Sequence, residues 1–417
     1  AQGYRTGLFI SPHLVDLRAR IQIDREMIGM ENFYNYFLTV KKVVEQLGQQ
    51  GYSGITYFDY LLMIALCWYK DRAVDYVVVE TGLGGRLDST NALKNPMLCI
   101  ITSISLDHTE LLGNTISKIA AEKAGIIKQG VPLIYCADEP DARSVIAQTA
   151  KEMGAPCIGI GRNHCKRLMM EDADNIKNPA RLRFSFCLPL THPGSPFTDT
   201  FRDGIHEILT VNSPASYQAE NAAIAYTAAL WIALLPPCPN KETEQTKTED
   251  MGLRATLKDA LANSVWEGRF EQILPNCYLD GAHNADGIRM LLASLSPIAA
   301  GKKVTLLFTA VKEKDTDEMI RELCESGLFC RYLVTTVEGA RAIAPEQLKE
   351  TFLRYTDAPV ISYMTPKEAF LRGLQDVKVD IESPATDRAV NTMDSILLCA
   401  GSLYLVGIIK EFLLKKN

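Results

Sequence analysis

Phe58–Glu80, FDYLLMIALCWYKDRAVDYVVVE, holds a helix and a strand in direct succession. Its first part, Phe58–Lys70, carries apolar residues at helical spacing, and Val74–Val79 is a short β-branched run that stops on a carboxylate, Glu80. The same pairing recurs on either side. Upstream lie a strand candidate at Gly7–Ile10 and an amphipathic helix at Phe33–Gln46; downstream lie strand candidates at Leu98–Ile104 and Pro132–Cys136. Each strand candidate is followed by polar or turn residues. Such alternation predicts an α/β protein with a largely parallel sheet.

Further along, Leu182–Val211 is richer in Pro, Thr and Asp and predicts short antiparallel strands and loops. Ala222–Leu235 is the longest apolar stretch and fits a buried helix. The segment at 236–252, PPCPNKETEQTKTEDMG, is polar and charged and reads as a surface excursion between two helices. Beyond a boundary near Glu267–Gln272 the alternation resumes. Strands are predicted there at Cys277–Leu279, Val304–Phe308, Tyr332–Thr336, Val360–Tyr363 and Ile396–Ala400. The expected architecture is two α/β domains: 1–268, with the polar insertion at 236–252, and 269–417, smaller and Rossmann-like.

Composition narrows the function. The 417 residues are 47% hydrophobic, too many for one compact core and suited to two domains. A net charge of −6 argues against a general nucleic-acid binder, although a local basic patch can still hold an anionic substrate. Eleven cysteines at irregular spacing, without a CxxC pair or a metal-like Cys/His ladder, read as reduced thiols of a cytoplasmic protein. No apolar run reaches the roughly eighteen residues of a membrane span, and no signal peptide opens the chain.

In open α/β sheets ligands gather beyond the carboxyl ends of the strands. Ser11 follows the first strand candidate, Glu80 ends the second, and His108 follows the third in Leu106-Asp107-His108. If those strands are parallel neighbours, a hydroxyl, a carboxylate and an imidazole converge where a divalent ion could sit beside a phosphate. Any one of them alone is better explained as a polar residue bonding to a loop. Thr115–Lys128 is helical by its spacing and places Lys123 on the apolar face with Ile116, Ile119, Ala120 and Ala124. An ammonium there is costly unless paired, deprotonated or chemically altered, so Lys123 is either a snorkelling residue or a functional one.

The glycines of Gly82-Leu83-Gly84-Gly85-Arg86-Leu87-Asp88 fit a dinucleotide fingerprint poorly, because Leu87 takes the place of the third glycine and no helix follows. A flexible, substrate-facing loop is the better account. Tyr278-Leu279-Asp280-Gly281-Ala282-His283-Asn284 sets an acid and an imidazole after a strand, which could also be an ordinary hydrogen-bonded turn. Ala400-Gly401-Ser402 starts a helix whose free N–H groups suit a carboxylate, with Ser402 as a plain N-cap the simpler reading.

Five segments together carry a specific resemblance: TGLFISPHLVDLRARIQID, VVVETGLGGRLDSTN, ITSISLDHTELLGNTISKIAAEKAGIIK, YLDGAHNADG and LLCAGSLYLVG. They resemble folylpolyglutamate synthases, which often double as dihydrofolate synthases and are related to the Mur ligases. The resemblance runs from about Gly3 to the C-terminus. It implies a P-loop-type first domain and a reaction in which ATP phosphorylates a folate or pteroate carboxylate and glutamate attacks the acyl phosphate. It further implies ATP and Mg²⁺ as cofactors, folate or dihydropteroate and L-glutamate as substrates, no nucleic acid or membrane partner, and a monomer.

Residue by residue, the resemblance makes Glu80 and His108 magnesium ligands, with Ser11 beside the metal and phosphates. Lys123, in EKAGI, is similar to a lysine that is carbamylated in the family. Asn221 in YQAENAAIA and Arg269 in WEGRFE fall at ATP contacts. Asp280 and His283 fall at the ATP and glutamate sites, and Ser402 near incoming glutamate.

Two departures stand out. Tyr217 occupies a position where the family usually has His. No GxxxxGK[ST] occurs in the 417 residues, and the chain opens on Ala1-Gln2-Gly3 rather than Met. The expectation is a truncated start, with weak ATP binding and little activity for these residues alone. Three other readings remain: a Mur-type peptidoglycan ligase, an NAD-dependent dehydrogenase resting on the glycines after Glu80, and a non-catalytic folate- or nucleotide-binding relative.

Overall fold

The computed structural model describes residues 3–171, 180–188, 204–234, 250–312, 314–377 and 395–416. The chain opens with β1 (Thr6–Phe9), antiparallel to β2 (Ile21–Ile23), which pairs with the two-residue β3 (Glu26–Met27). Helices α1 (Met30–Gln49) and α2 (Tyr57–Asp71) follow and lead into β4 (Tyr76–Val79), parallel to β1 with Phe9 opposite Val79. Thr56 caps α2 in a reciprocal capping box with Asp59, and Leu61, Leu62, Ile64, Ala65, Trp68 and Tyr69 form its buried face. Tyr69 reaches the strand itself, its hydroxyl donating to the Leu8 carbonyl at 2.5 Å. The helix therefore fixes the strand pair that ends in Ser11 and Glu80.

A second sheet holds β5 (Cys99–Ile101), β6 (Leu133–Cys136) and β7 (Cys157–Ile160), all parallel. Between β5 and β6 lie the one-turn α3 (Thr109–Leu112) and α4 (Ile116–Ala124), and α5 (Pro140–Glu152) joins β6 to β7. A third, antiparallel sheet is built from β8 (Cys165–Glu171), β9 (Arg181–Leu188) and β10 (Ile205–Val211). This bears out the antiparallel character expected of Leu182–Val211; residues 189–203 lie outside the described ones. The apolar stretch expected to form a buried helix is α6 (Gln218–Leu234), which packs on β6 and the antiparallel sheet through Ala223, Tyr226, Leu230 and Trp231. Most of the polar excursion, 236–249, lies outside the described residues, and its last three residues open α7 (Asp250–Ala262).

The remaining chain is built on one six-stranded sheet. It comprises β11 (Glu271–Leu274), β12 (Cys277–Leu279), β13 (Lys303–Phe308), β14 (Phe329–Val334), β15 (Val360–Ser362) and β16 (Ser395–Ala400), in the order β11-β12-β16-β13-β14-β15. Only β11 is antiparallel, as part of a tight hairpin with β12. Helices α8 (Ala285–Ala299), α9 (Thr316–Glu325), α10 (Pro345–Phe352), α11 (Pro366–Asp376) and α12 (Leu403–Leu414) cover its two faces over two buried clusters. The inner strands are apolar almost throughout, as parallel strands buried on both faces must be.

One expectation fails. β4 and β5 are not neighbours: β4 bonds only to β1, and β5 only to β6, among the described residues. Val77 and Val78 are correspondingly 40% and 57% exposed. The far edges of both strands border a wide groove instead of each other, so His108, beyond β5, is not carried to the edge where Ser11 and Glu80 meet.

Candidate active site

The groove, of about 3400 Å³, is several times the size of a small-molecule pocket and is lined from both halves of the chain. Ser11, Glu80, Lys123, Asn221, Arg269, Asp280 and His283 all line it. Residues singled out by sequence pattern and those implied by the resemblance therefore line one crevice.

At its β1–β4 end, Glu80 N donates to the Phe9 carbonyl at 2.8 Å, which extends the parallel ladder by one step. The Glu80 carboxylate in turn accepts from Ser11 N at 2.7 Å. Burial pushes the Glu80 pKa up, opposed by that Ser11 hydrogen bond and by Arg269 and Arg20. A carboxylate with a fixed orientation that is still open to the groove is a good hard-cation donor.

The GLGGRLD loop is explained by packing. Its Gly85 lies against the last turn of α4, where a Cβ would stand 2.8 Å from the Glu122 carbonyl oxygen and 2.9 Å from that of Lys123. Gly125 returns the contact, with room for no side chain beside Arg86, whose backbone N donates to Glu122 O at 2.8 Å. The glycines allow loop and helix to touch, and the contact holds the end of α4 that carries Lys123. Burial lowers the Lys123 pKa, against the pull of Asp107.

His108 belongs to a different constellation. It caps α3 in a left-handed conformation, φ 50°, and its charged neighbours are Asp107, Lys314, His283 and Lys123 rather than Glu80. Burial lowers its pKa, with Asp107 acting in the opposite sense. The centre of this group is Asp107. Its carboxylate accepts from Asn284 Nδ2 at 3.1 Å and from the Lys314 ammonium, and lies 3.5 Å from His283 Nε2. Burial would raise its pKa, but the contacts with His283 and Lys314 outweigh that and hold it well below the usual carboxylate range. Three groups from the second half of the chain thus converge on one acid from the first.

Asp280 is 3% exposed and fully bonded. Phe270 N donates to Oδ2 at 2.8 Å, the Tyr217 hydroxyl to the same oxygen at 2.9 Å, and Ala282 N to Oδ1 at 2.7 Å. Burial raises its pKa, opposed first by Arg269 and then by these donors. His283 is oriented by the Gly281 carbonyl, 2.7 Å from Nδ1. Asn221, on the first turn of α6, bonds Gln218 at 3.2 Å and is exposed to the groove. Ser402 does not line the groove; it is buried and caps α12, accepting from Tyr404 N at 3.1 Å, the simpler of its two readings.

Sequence reasoning missed the Asp107 cluster, Lys314 within it, and the use made of Tyr217. Asp107 was visible as a strand-end acid beside His108, but nothing in VKEKD distinguishes Lys314 from a surface lysine. Among the described residues no group of three or more His, Cys, Asp or Glu is arranged to hold a metal, and no helix is long and apolar enough to cross a membrane.

Residues 30–229 match the Mur ligase middle domain and residues 268–382 the Mur ligase, glutamate ligase domain. The Bacillus subtilis dihydrofolate synthase/folylpolyglutamate synthase is 33% identical over 324 residues, spanning 77% of this chain and 68% of that protein. The Lacticaseibacillus casei folylpolyglutamate synthase is 30% identical over 99% of this chain and 85% of its own length. Among solved structures, Escherichia coli FolC in complex with DHPP and ADP superposes with a TM-score of 0.74 at 25% identity, covering 99% of this chain and 83% of that one.

Proposed function

The chain belongs to the folylpolyglutamate synthase/dihydrofolate synthase family of ATP-dependent ligases, and from that premise we propose that it joins L-glutamate to the carboxylate of a folate, with dihydropteroate as a second acceptor. The observation that carries this reading is the single groove in which Ser11, Glu80, Lys123, Asn221, Arg269, Asp280 and His283 meet.

In the proposed reaction a carboxylate oxygen of the acceptor attacks the γ-phosphorus of ATP and ADP leaves. The glutamate amine then attacks the acyl carbon, loses a proton, and phosphate departs with the acceptor's oxygen. Asn221 and Arg269 hold the nucleotide, together with Asp280 and His283, from both sides of the groove. His283, together with the helix start capped by Ser402, faces the incoming glutamate. The carboxylate and hydroxyl chemistry of Glu80 and Ser11 fits Mg²⁺, which usually keeps several water or phosphate ligands. His108, within the Asp107 cluster, would join that set from the far side. A bound ion supplies charge neutralisation to the phosphates.

Lys123 is suited to carbamylation because burial favours its neutral amine, which can add to CO₂ with loss of a proton. The resulting carbamate returns a negative charge to the groove. Closing the two halves around the acyl phosphate keeps water from hydrolysing it.

The test is glutamate incorporation with ATP and Mg²⁺, using the natural polypeptide that contains these 417 residues and tetrahydrofolate or dihydropteroate in separate reactions. Glutamate-dependent release of ADP with either acceptor is the expected result, and the acceptor used assigns the branch. Nucleotide or folate binding without ligation in either reaction would replace the enzyme reading with that of a binding protein.

A further inference from the structure

Tyr217 stands immediately before α6, where the family resemblance leads one to expect His. Its ring packs against the buried cluster that includes Phe270, Tyr278 and Ile288. Its hydroxyl crosses from the α6 side of the groove to the β12 side and donates to Asp280 Oδ2 at 2.9 Å. The residue before it is tied across the same boundary: Ser216 N donates to Ser294 Oγ of α8 at 3.0 Å. The start of α6, which carries Asn221, is thereby fastened across the boundary at two adjacent residues, one to Asp280 and one to α8.

The carboxylate that receives the phenol is 3% exposed. Oδ1 takes Ala282 N and Oδ2 takes Phe270 N, while Arg269 is the nearby opposing charge. Phe270 itself has a left-handed backbone, φ 51°, so its N–H is aimed at Asp280 by a turn that a non-glycine residue adopts only when held there. Without the hydroxyl, Oδ2 keeps one backbone donor and the carboxylate loses the only side-chain hydrogen bond it receives among the described residues. A buried carboxylate short of a donor turns or takes up a proton, and either response alters the loop that carries His283.

We infer that Tyr217 is a positioning residue for the ligation site: its hydroxyl fixes the Asp280 carboxylate and so sets α6 and the Asp280–Asn284 loop in one arrangement for the nucleotide. The nucleotide arm of the test rests on the function proposed above; the backbone arm does not.

The substitution is Tyr217→Phe, which keeps the ring and its packing, measured beside Asp280→Asn and the double variant. Amide exchange is followed first, without ligand, at Phe270 N–H and Ala282 N–H. Both amides exchange roughly tenfold faster or more in Tyr217→Phe if the hydroxyl holds their common acceptor. Unchanged exchange in a folded variant overturns the inference, whatever reaction the protein catalyses. Nucleotide affinity is followed second. It falls roughly tenfold in Tyr217→Phe, and the effect disappears in the Asp280→Asn background, because residues acting through one interaction are not additive. Losses that simply add would show that Tyr217 acts by some route other than Asp280. Should Tyr217→Phe fail to fold, Tyr217→Met, which also lacks the hydroxyl, takes its place: exchange at the two amides must rise by a comparable factor, and unchanged rates in that folded variant overturn the inference.

Discussion

Replacing Asp107 with Ala should loosen the grip between the two halves of the chain. The substitution removes the acceptor of Asn284 Nδ2 at 3.1 Å, the partner of the Lys314 ammonium and the acid 3.5 Å from His283 Nε2. Lys314, whose side chain is 12% exposed, is left with its charge largely buried and uncompensated. A charge-assisted hydrogen bond contributes about 1.5–3 kcal/mol net and a neutral donor about 1 kcal/mol; allowing for water reaching the cluster, the total loss is roughly 2–4 kcal/mol. Spread over the unfolding entropy of a chain this long, that is a fall in Tm of roughly 2–5 °C. Asp107→Asn keeps the shape and one acceptor and should lose about half as much. Because the lost contacts join the two halves, the calorimetric transition should also broaden or split. Limited trypsin digestion reads the same event at Arg269, in the segment between α7 and β11, which should be cut faster. A single unbroadened transition within about 1 °C of wild type, with unchanged cleavage, would refute the view that Asp107 holds the halves together.

Glu80→Gln keeps an acceptor for Ser11 N but removes the charge, so folding should be preserved while kcat falls by about a hundredfold or more in steady-state assays at saturating Mg²⁺. Glu207, on β10, is bonded by Arg254 and Lys258 of α7; burial would raise its pKa, but these two cations outweigh that and lower it. A lowered folded-state value means stability that is present above the ordinary carboxylate range and lost as pH falls below it. The gap between wild type and Glu207→Gln, about 1–3 kcal/mol at pH 7 by urea unfolding, should therefore close below about pH 4. Gly125→Ala places a Cβ 2.4 Å from Arg86 Cβ and 2.6 Å from its Cα. It should cost about 1–3 kcal/mol in thermal unfolding and reduce ligation by displacing the end of α4.

Most of the parallel strands could be placed from sequence to within a few residues, because a buried parallel strand must be a short continuous apolar run. β2, β3, β7, β8 and β11 escaped notice; all but β8 are only two to four residues long. Register and neighbourhood were harder. That Glu80 and Ser11 meet follows from β4 pairing with β1, and sequence order suggested it correctly. That β5 belongs to another sheet left no trace in its own residues, so the expectation that β4 and β5 are parallel neighbours failed for that reason. Asp280 and His283 could be found because they follow a strand directly. Asp107, Lys314 and Tyr217 could not be assigned roles, because each gains its partner from a segment distant in sequence, and periodicity carries no information about which segments meet.

Ligation through an acyl phosphate is tested most directly by labelling the acceptor's carboxylate with ¹⁸O and following the label during ATP- and glutamate-dependent turnover. Attack of that carboxylate on the γ-phosphorus predicts one ¹⁸O atom in the released inorganic phosphate for each amide bond formed, with ADP as the other product. Amide formation that leaves the phosphate unlabelled, or that releases AMP in place of ADP, would contradict it.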